Sequence, residues 1–136
     1  MTICGIEMFG SEARLVLLQG DKSDYLHVDV KPKKLVLAAD ENPEEVRAFR
    51  DSIFAFFREN DVTLIAIKKR GKKGEYSGGP VGFKLEGIIQ LYEDCAVKLV
   101  AAQTISAAQR KDAPDKPDTL LKYQHNAFET AYSVLQ

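Results

Sequence analysis

The chain has 136 residues, the length of one domain. Apolar types make up 45% and the formal charge is −1, from 19 basic and 20 acidic residues. That balance excludes a disordered chain, a histone-like basic protein and an acidic tail, but not a local basic patch. No apolar run reaches the ~18 residues of a membrane span, so no membrane partner is expected. The opening MTICGIEMFG lacks a basic n-region and carries Glu7 in its apolar stretch, which argues against a secretory leader. Cys4 and Cys95 are too few and too far apart for a zinc site and read as reduced, buried thiols. Together these features predict a cytoplasmic protein.

Thr2–Met8 is apolar on both alternating faces, as in a strand covered on both sides. After a turn at Gly10-Ser11, Ala13–Leu18 reads as a second strand, and QGDKS leads into a third at Tyr25–Val30. Leu26, Val28 and Val30 share one face of that strand, and His27 and Asp29 take the water-facing side. Lys31, Lys33 and Lys34 around Pro32 suit the blunting of a sheet edge.

Asn42-Pro43-Glu44-Glu45 predicts a helix start. Asn42 caps, Pro43 fits the first helical position, and Glu45 reaches back to the cap amide. Val46, Phe49, Ile53, Phe56 and Phe57 follow on one face as core, part of which is also a candidate homodimer surface. Val62–Ile67 is a β-branched strand, and a Gly-rich basic loop runs from Lys68 to Gly79. Pro80 opens a second helix with Val81, Leu85, Ile88, Ile89 and Tyr92 on one face. Ala96–Ala101 is the fifth strand. Thr104 or Ser106 is a cap candidate for a short helix, and Asp118 or Thr119 for the last one. Asp112, Asp115 and Asp118 match no calcium-loop pattern and read as solvated loop residues.

The order β-β-β-α-β-α-β-α-α predicts a single α/β domain over residues 1–136. Strand–helix–strand crossovers give parallel neighbours, so the expected architecture is a mixed five-stranded sheet with helices on both faces.

Three groups are candidates for function. Glu7 is a carboxylate among apolar neighbours, which suits either a catalytic or ligand-binding acid or a structural ion pair. His125 and Glu129, four apart on the last helix, suit an acid–base or metal-ligating pair, although a solvated helix face is the commoner meaning of that spacing. Lys68, Lys69, Arg70, Lys72 and Lys73 carry +5, which leaves the rest of the chain at −6. The free backbone amides of the helix that Pro80 starts, together with these cations, suit phosphate, and Tyr76 and Phe83 suit stacking on a base, against the plainer meaning of a solvated loop. The Gly-Lys-Ser/Thr ending of a nucleotide-binding phosphate loop is absent.

The element order resembles the ribonuclease-H-like fold, and the chain is most similar there to Holliday-junction resolvases. GIEMFGS resembles their first strand, IAIKK their fourth, GFKLEGIIQLYE the helix that follows, AVKLVAAQTISAA the fifth strand and its exit, and HNAFETAYSVL the last helix. The resemblance is also consistent with a family of small bacterial proteins whose function is not established. The resemblance implies an acidic centre holding hard divalent ions near a scissile phosphate. Here Glu7 stands at the first acidic position, Lys68 at the second, and Asn126 and Glu129 at the last-helix pair. An ammonium beside Glu7 stands where a metal charge would, so the resemblance predicts a Glu7–Lys68 ion pair and a degenerate site of Glu7, Lys68, His125 and Glu129, with no metal. Unlike charges about 4 Å apart attract by about 4 kcal/mol at an effective dielectric near 20. The reading that follows is binding of DNA or RNA through the Lys68–Lys73 loop without efficient metal-dependent cleavage. Two alternatives remain. One is a variant nuclease using Glu7, His125 and Glu129 with Mg²⁺ or Mn²⁺, and the other is a non-catalytic dimeric interaction protein.

Overall fold

The computed structural model describes residues 1–71 and 79–136. Among them, six strands form one mixed sheet and four helices cover its faces. The strands are β1 (Thr2–Phe9), β2 (Glu12–Gly20), β3 (Tyr25–His27), β4 (Lys34–Val36), β5 (Leu64–Lys68) and β6 (Ala96–Val100). The helices are α1 (Pro43–Glu59), α2 (Pro80–Gln90), α3 (Ala102–Asp112) and α4 (His125–Ser133), with a 3₁₀ turn at Lys122–Gln124 leading into α4.

The order across the sheet is β3-β2-β1-β5-β6, and β4 also pairs with β2. β1, β2 and β3 are antiparallel neighbours, whereas β1, β5 and β6 run parallel because helices carry the chain between them. The expected α/β architecture is therefore present, and the sheet gains a sixth strand. Three residues at Lys34–Val36 pair with Glu12–Arg14 of β2, a stretch too short for alternation to announce. The third strand ends at His27 rather than Val30, although the Val28 amide still donates to the Leu17 carbonyl.

The pleat divides the core in two. Cys4, Ile6 and Met8 of β1 pack with Leu15, Leu17, Ile65 and Ile67 under α1 and α2. Ile3 of β1 packs with Val16, Leu18 and the Ala127, Phe128, Ala131 stripe of α4 on the opposite face. The apolar face of α1 is spent inside the domain, since Phe49, Ile53, Phe56 and Phe57 are all buried. Removing one such phenyl group from water contributes about 1.5–3 kcal/mol. Asn42 caps α1 through its side chain, accepting from the Glu44 amide at 2.9 Å. Its own amide goes to the Ala39 carbonyl at 3.1 Å, where the sequence suggested Glu45. Neither Thr104 nor Ser106 caps α3, whose N-cap is Ala101. Thr119 instead meets His27, and Gln124 precedes α4.

Gly5 decides how close α4 comes to the sheet. A Cβ there would collide with the Ala127 carbonyl oxygen and lie 2.7 Å from the Ala131 Cβ. Without it, the helix backbone rests on β1, and the first turn of α4 arrives beside Glu7.

Candidate functional site

Glu7 shares the pleat face of Ile3 and Gly5, the face that α4 covers. The two-residue turn at Gly10-Ser11 sets the β1–β2 register and brings Arg14 directly opposite it. Arg14 Nη1 lies 3.6 Å from Glu7 Oε1, and Asn126 Nδ2 donates to Glu7 Oε2 at 2.7 Å. The Glu7 residue is only 9% exposed, so its charge is held by these two groups with little help from water. Gln124 fixes the helix start that supplies Asn126. Its Nε2 donates to the Leu15 carbonyl and its Oε1 accepts from the Leu121 amide, both at 2.9 Å.

The pairing extends into a row across the sheet. Arg14 pairs with Lys34 of β4 on one side and with Glu7 on the other. One step beyond the Ile6–Ile67 pair, the parallel register sets Lys68 of β5 next to Glu7, and Lys68 pairs in turn with Val100. Arg14 and Lys68 thus stand on either side of Glu7, and Lys34 lies beyond Arg14. A second acid, Glu12, joins the row from the hairpin, 3.7 Å from Arg14 Nη2 and 3.4 Å from Lys34 Nζ. The Arg14 guanidinium carbon lies 4.0 Å from the Phe9 ring centroid and 5.4 Å from that of Tyr123. Lys34 Nζ is 5.1 Å from the same Tyr123 ring.

This geometry corrects the expected Glu7–Lys68 ion pair. Lys68 sits in the neighbouring strand as the register requires, but the cation within ion-pair distance of Glu7 among the described residues is Arg14. A strand partner directly opposite in a tight hairpin delivers its guanidinium across the ladder, whereas Lys68 stands at the end of its strand and is only partly buried. Sequence reasoning missed Arg14, although counting back from the two-residue turn finds it.

Glu129 has a cationic partner of its own. Its carboxylate lies 3.7 Å from Lys116 Nζ. His125 opens α4 one turn before it. Among the described residues no three His, Cys, Asp or Glu side chains gather as metal ligands. A site for hard divalent ions needs several converging carboxylate oxygens. Here one carboxylate faces a guanidinium and an amide donor, and the other faces an ammonium, so the donor set does not fit such a centre.

The basic segment divides as well. Arg70 is committed to the fold. Its Nη1 donates to the Met8 carbonyl at 2.8 Å, its guanidinium carbon lies 5.7 Å from the Phe83 ring centroid, and a Cβ on Gly82 would meet that carbon at 2.5 Å. It clamps the ends of β1 and β5 to the first turn of α2, and Phe83 is half-buried beneath it. Lys69 is exposed, with its amide donating to the Val100 carbonyl at 2.8 Å. Lys72, Lys73 and Tyr76 lie outside the described residues.

Three further expectations resolve elsewhere. His27 is buried and its Nδ1 meets the Thr119 hydroxyl. Burial holds its imidazole below the ordinary value of 6.5, Lys33 acting in the same sense and Asp29 against it. Cys4 is fully buried, with its thiol pushed far up by desolvation, and Cys95 is half-buried; both are free thiols. No helix among the described residues is long and apolar enough to cross a membrane.

The sequence matches the profile of the family described as "Protein of unknown function (DUF3010)" over residues 1–134, and the chain belongs to that family. No curated protein sequence matches it. The fold is ribonuclease-H-like and similar to that of RuvC Holliday junction resolvases. A Thermus thermophilus RuvC structure superposes with a TM-score of 0.75 at 9% identity, covering 98% of this chain and 92% of that one. A structure of T. thermophilus RuvC in complex with Holliday junction substrate gives 0.70 at 11% identity, covering 98% and 91%.

Proposed function

We propose that this chain is a nucleic-acid-binding domain in which a ribonuclease-H-like scaffold no longer supports metal-dependent cleavage. The observation that carries the reading is the pairing of Glu7 with Arg14 and Asn126. A guanidinium held against the carboxylate supplies the positive charge that a divalent ion would bring, and it cannot give up coordination sites to a phosphate and a water. The surroundings stay positive, with Lys34 and Lys68 in the same row and Lys69 exposed next to it. Positive charge at the strand ends suits the phosphate backbone. The similar fold of RuvC, solved with a Holliday junction, supports the same class of ligand. Lys68, Lys69 and the following Lys72 and Lys73 are the phosphate-contacting residues in this reading.

The variant-nuclease alternative, through Glu7, His125 and Glu129, has less support because Glu129 is engaged by Lys116. The test is fluorescence anisotropy with four-way junction, duplex and single-stranded DNA and RNA over a salt series, alongside cleavage assays in Mg²⁺ and Mn²⁺. The expected result is binding that weakens steeply with salt, and no cleavage above that of Glu7→Gln. Absent or salt-insensitive binding, or cleavage lost in Glu7→Gln, overturns the proposal.

A further inference from the structure

The hairpin tip of β1–β2 carries a feature that charge alone does not explain. Phe9 is 57% exposed at the end of β1, immediately beside the cationic row. A large apolar side chain left in water among charged residues gains nothing from the core. The Arg14 guanidinium sits over one face of its ring, at 4.0 Å from the centroid, and leaves ring surface for a second stacking partner. Tyr123 closes the other flank, within 5.4 Å of Arg14 and 5.1 Å of Lys34 Nζ.

The ion pairs around Arg14 are loose. Its two ion pairs, at 3.6 and 3.7 Å, are longer than the roughly 2.7–2.9 Å of a charge-assisted hydrogen bond. Its Nε, Glu7 Oε1 and Glu12 Oε2 are buried without a hydrogen-bond partner among the described residues. Lys34 Nζ, on a side chain 47% exposed, is open to a further anion.

We infer that Phe9, Tyr123 and Lys34, arranged around Arg14, form a platform for an unpaired nucleotide of a single-stranded nucleic acid. The base stacks on Phe9 and its phosphate lies against Lys34. An aromatic ring rewards a strand only if a base face is free, and in an intact duplex every interior base face is already stacked. The platform therefore selects single strands over duplex, a preference that phosphate contacts alone do not generate. This inference rests on the nucleic-acid reading and adds to it the class of strand and three contact residues, Phe9, Tyr123 and Lys34.

The test compares oligothymidylate, oligouridylate and a blunt duplex of equal nucleotide count by anisotropy, on wild type, Phe9→Ala, Phe9→Leu and Lys34→Ala. Circular dichroism checks that each variant is folded, as the exposure of Phe9 leads one to expect. Both single strands are expected to bind more tightly than duplex. Phe9→Ala and Phe9→Leu should both weaken single-strand binding about tenfold and leave duplex binding unchanged. Lys34→Ala should reduce the slope of log K against log salt for single strands by about 0.7. Equal affinity for strand and duplex, or full affinity in both Phe9 variants, overturns the platform while the nucleic-acid reading stands. Absence of binding to all three probes overturns both.

Discussion

Glu7 and Arg14 face each other across the β1–β2 hairpin, Oε1 to Nη1 at 3.6 Å, with side chains only 11% and 16% exposed. A carboxylate so far from water depends on that guanidinium and on the Asn126 amide. Arg14→Ala leaves Glu7 without its ion-pair partner and Glu12 with Lys34 alone. It is expected to lower stability by about 2 kcal/mol, because removing one partner of a buried pair costs more than the pair contributes. Adding Glu7→Gln should recover part of the loss. Urea denaturation of the two single variants and the double variant measures the coupling.

Asn126→Asp replaces a donor with a second carboxylate at hydrogen-bond distance from Glu7. Two such groups share one proton, so the folded state holds it more tightly than free carboxylates of pKa about 4 do. The folded protein then binds more protons than the unfolded chain over that window, and the variant loses stability as pH rises through it. Denaturation curves should show a large deficit near pH 7 that shrinks towards about pH 4. A pH-independent deficit speaks against a shared proton.

Gly5→Ala tests the approach of α4. The added methyl has nowhere to go between β1 and the Ala127 carbonyl. Overpacking against backbone is expected to cost about 3 kcal/mol. The helix should also retreat from the sheet, which loosens the Asn126–Glu7 hydrogen bond. Calorimetric melting measures the first effect, and the Asn126 side-chain amide resonance reports the second.

His27 gives the fold an acid sensitivity. Burial holds its folded pKa below the 6.5 of an exposed imidazole, so on acidification the unfolded chain takes up the proton first. Stability is expected to fall as pH drops from about 6.5 towards the lower folded value. His27→Gln, which keeps a polar group for the Thr119 hydroxyl, should flatten that part of the profile. Melting temperatures across the range read the difference directly.

The sequence was legible where one local rule governs. Asn42-Pro43 announced α1, apolar or β-branched runs announced β1, β2 and β5, and helical crossovers implied the parallel pairing of β1, β5 and β6. What stayed hidden depends on tertiary placement. β4 is three residues long and exists because Lys34–Val36 lies against Glu12–Arg14. His27 carries the polarity of an exposed residue but is covered by the loop bearing Thr119, 92 positions away. At the site, a neighbour in the family pattern suggested Lys68 for Glu7, whereas hairpin register supplied Arg14. Arg70 looked like part of a phosphate-binding run, yet the absence of a side chain at Gly82 turns it inward as a clamp.

Isothermal titration of the protein with MnCl₂, run in parallel on Glu7→Gln, addresses the replacement of metal by guanidinium most directly. No saturable heat that depends on Glu7 is expected, because Asn126 holds one carboxylate oxygen and the Arg14 guanidinium stands against the other. Stoichiometric binding in the wild-type protein that disappears in Glu7→Gln would contradict it.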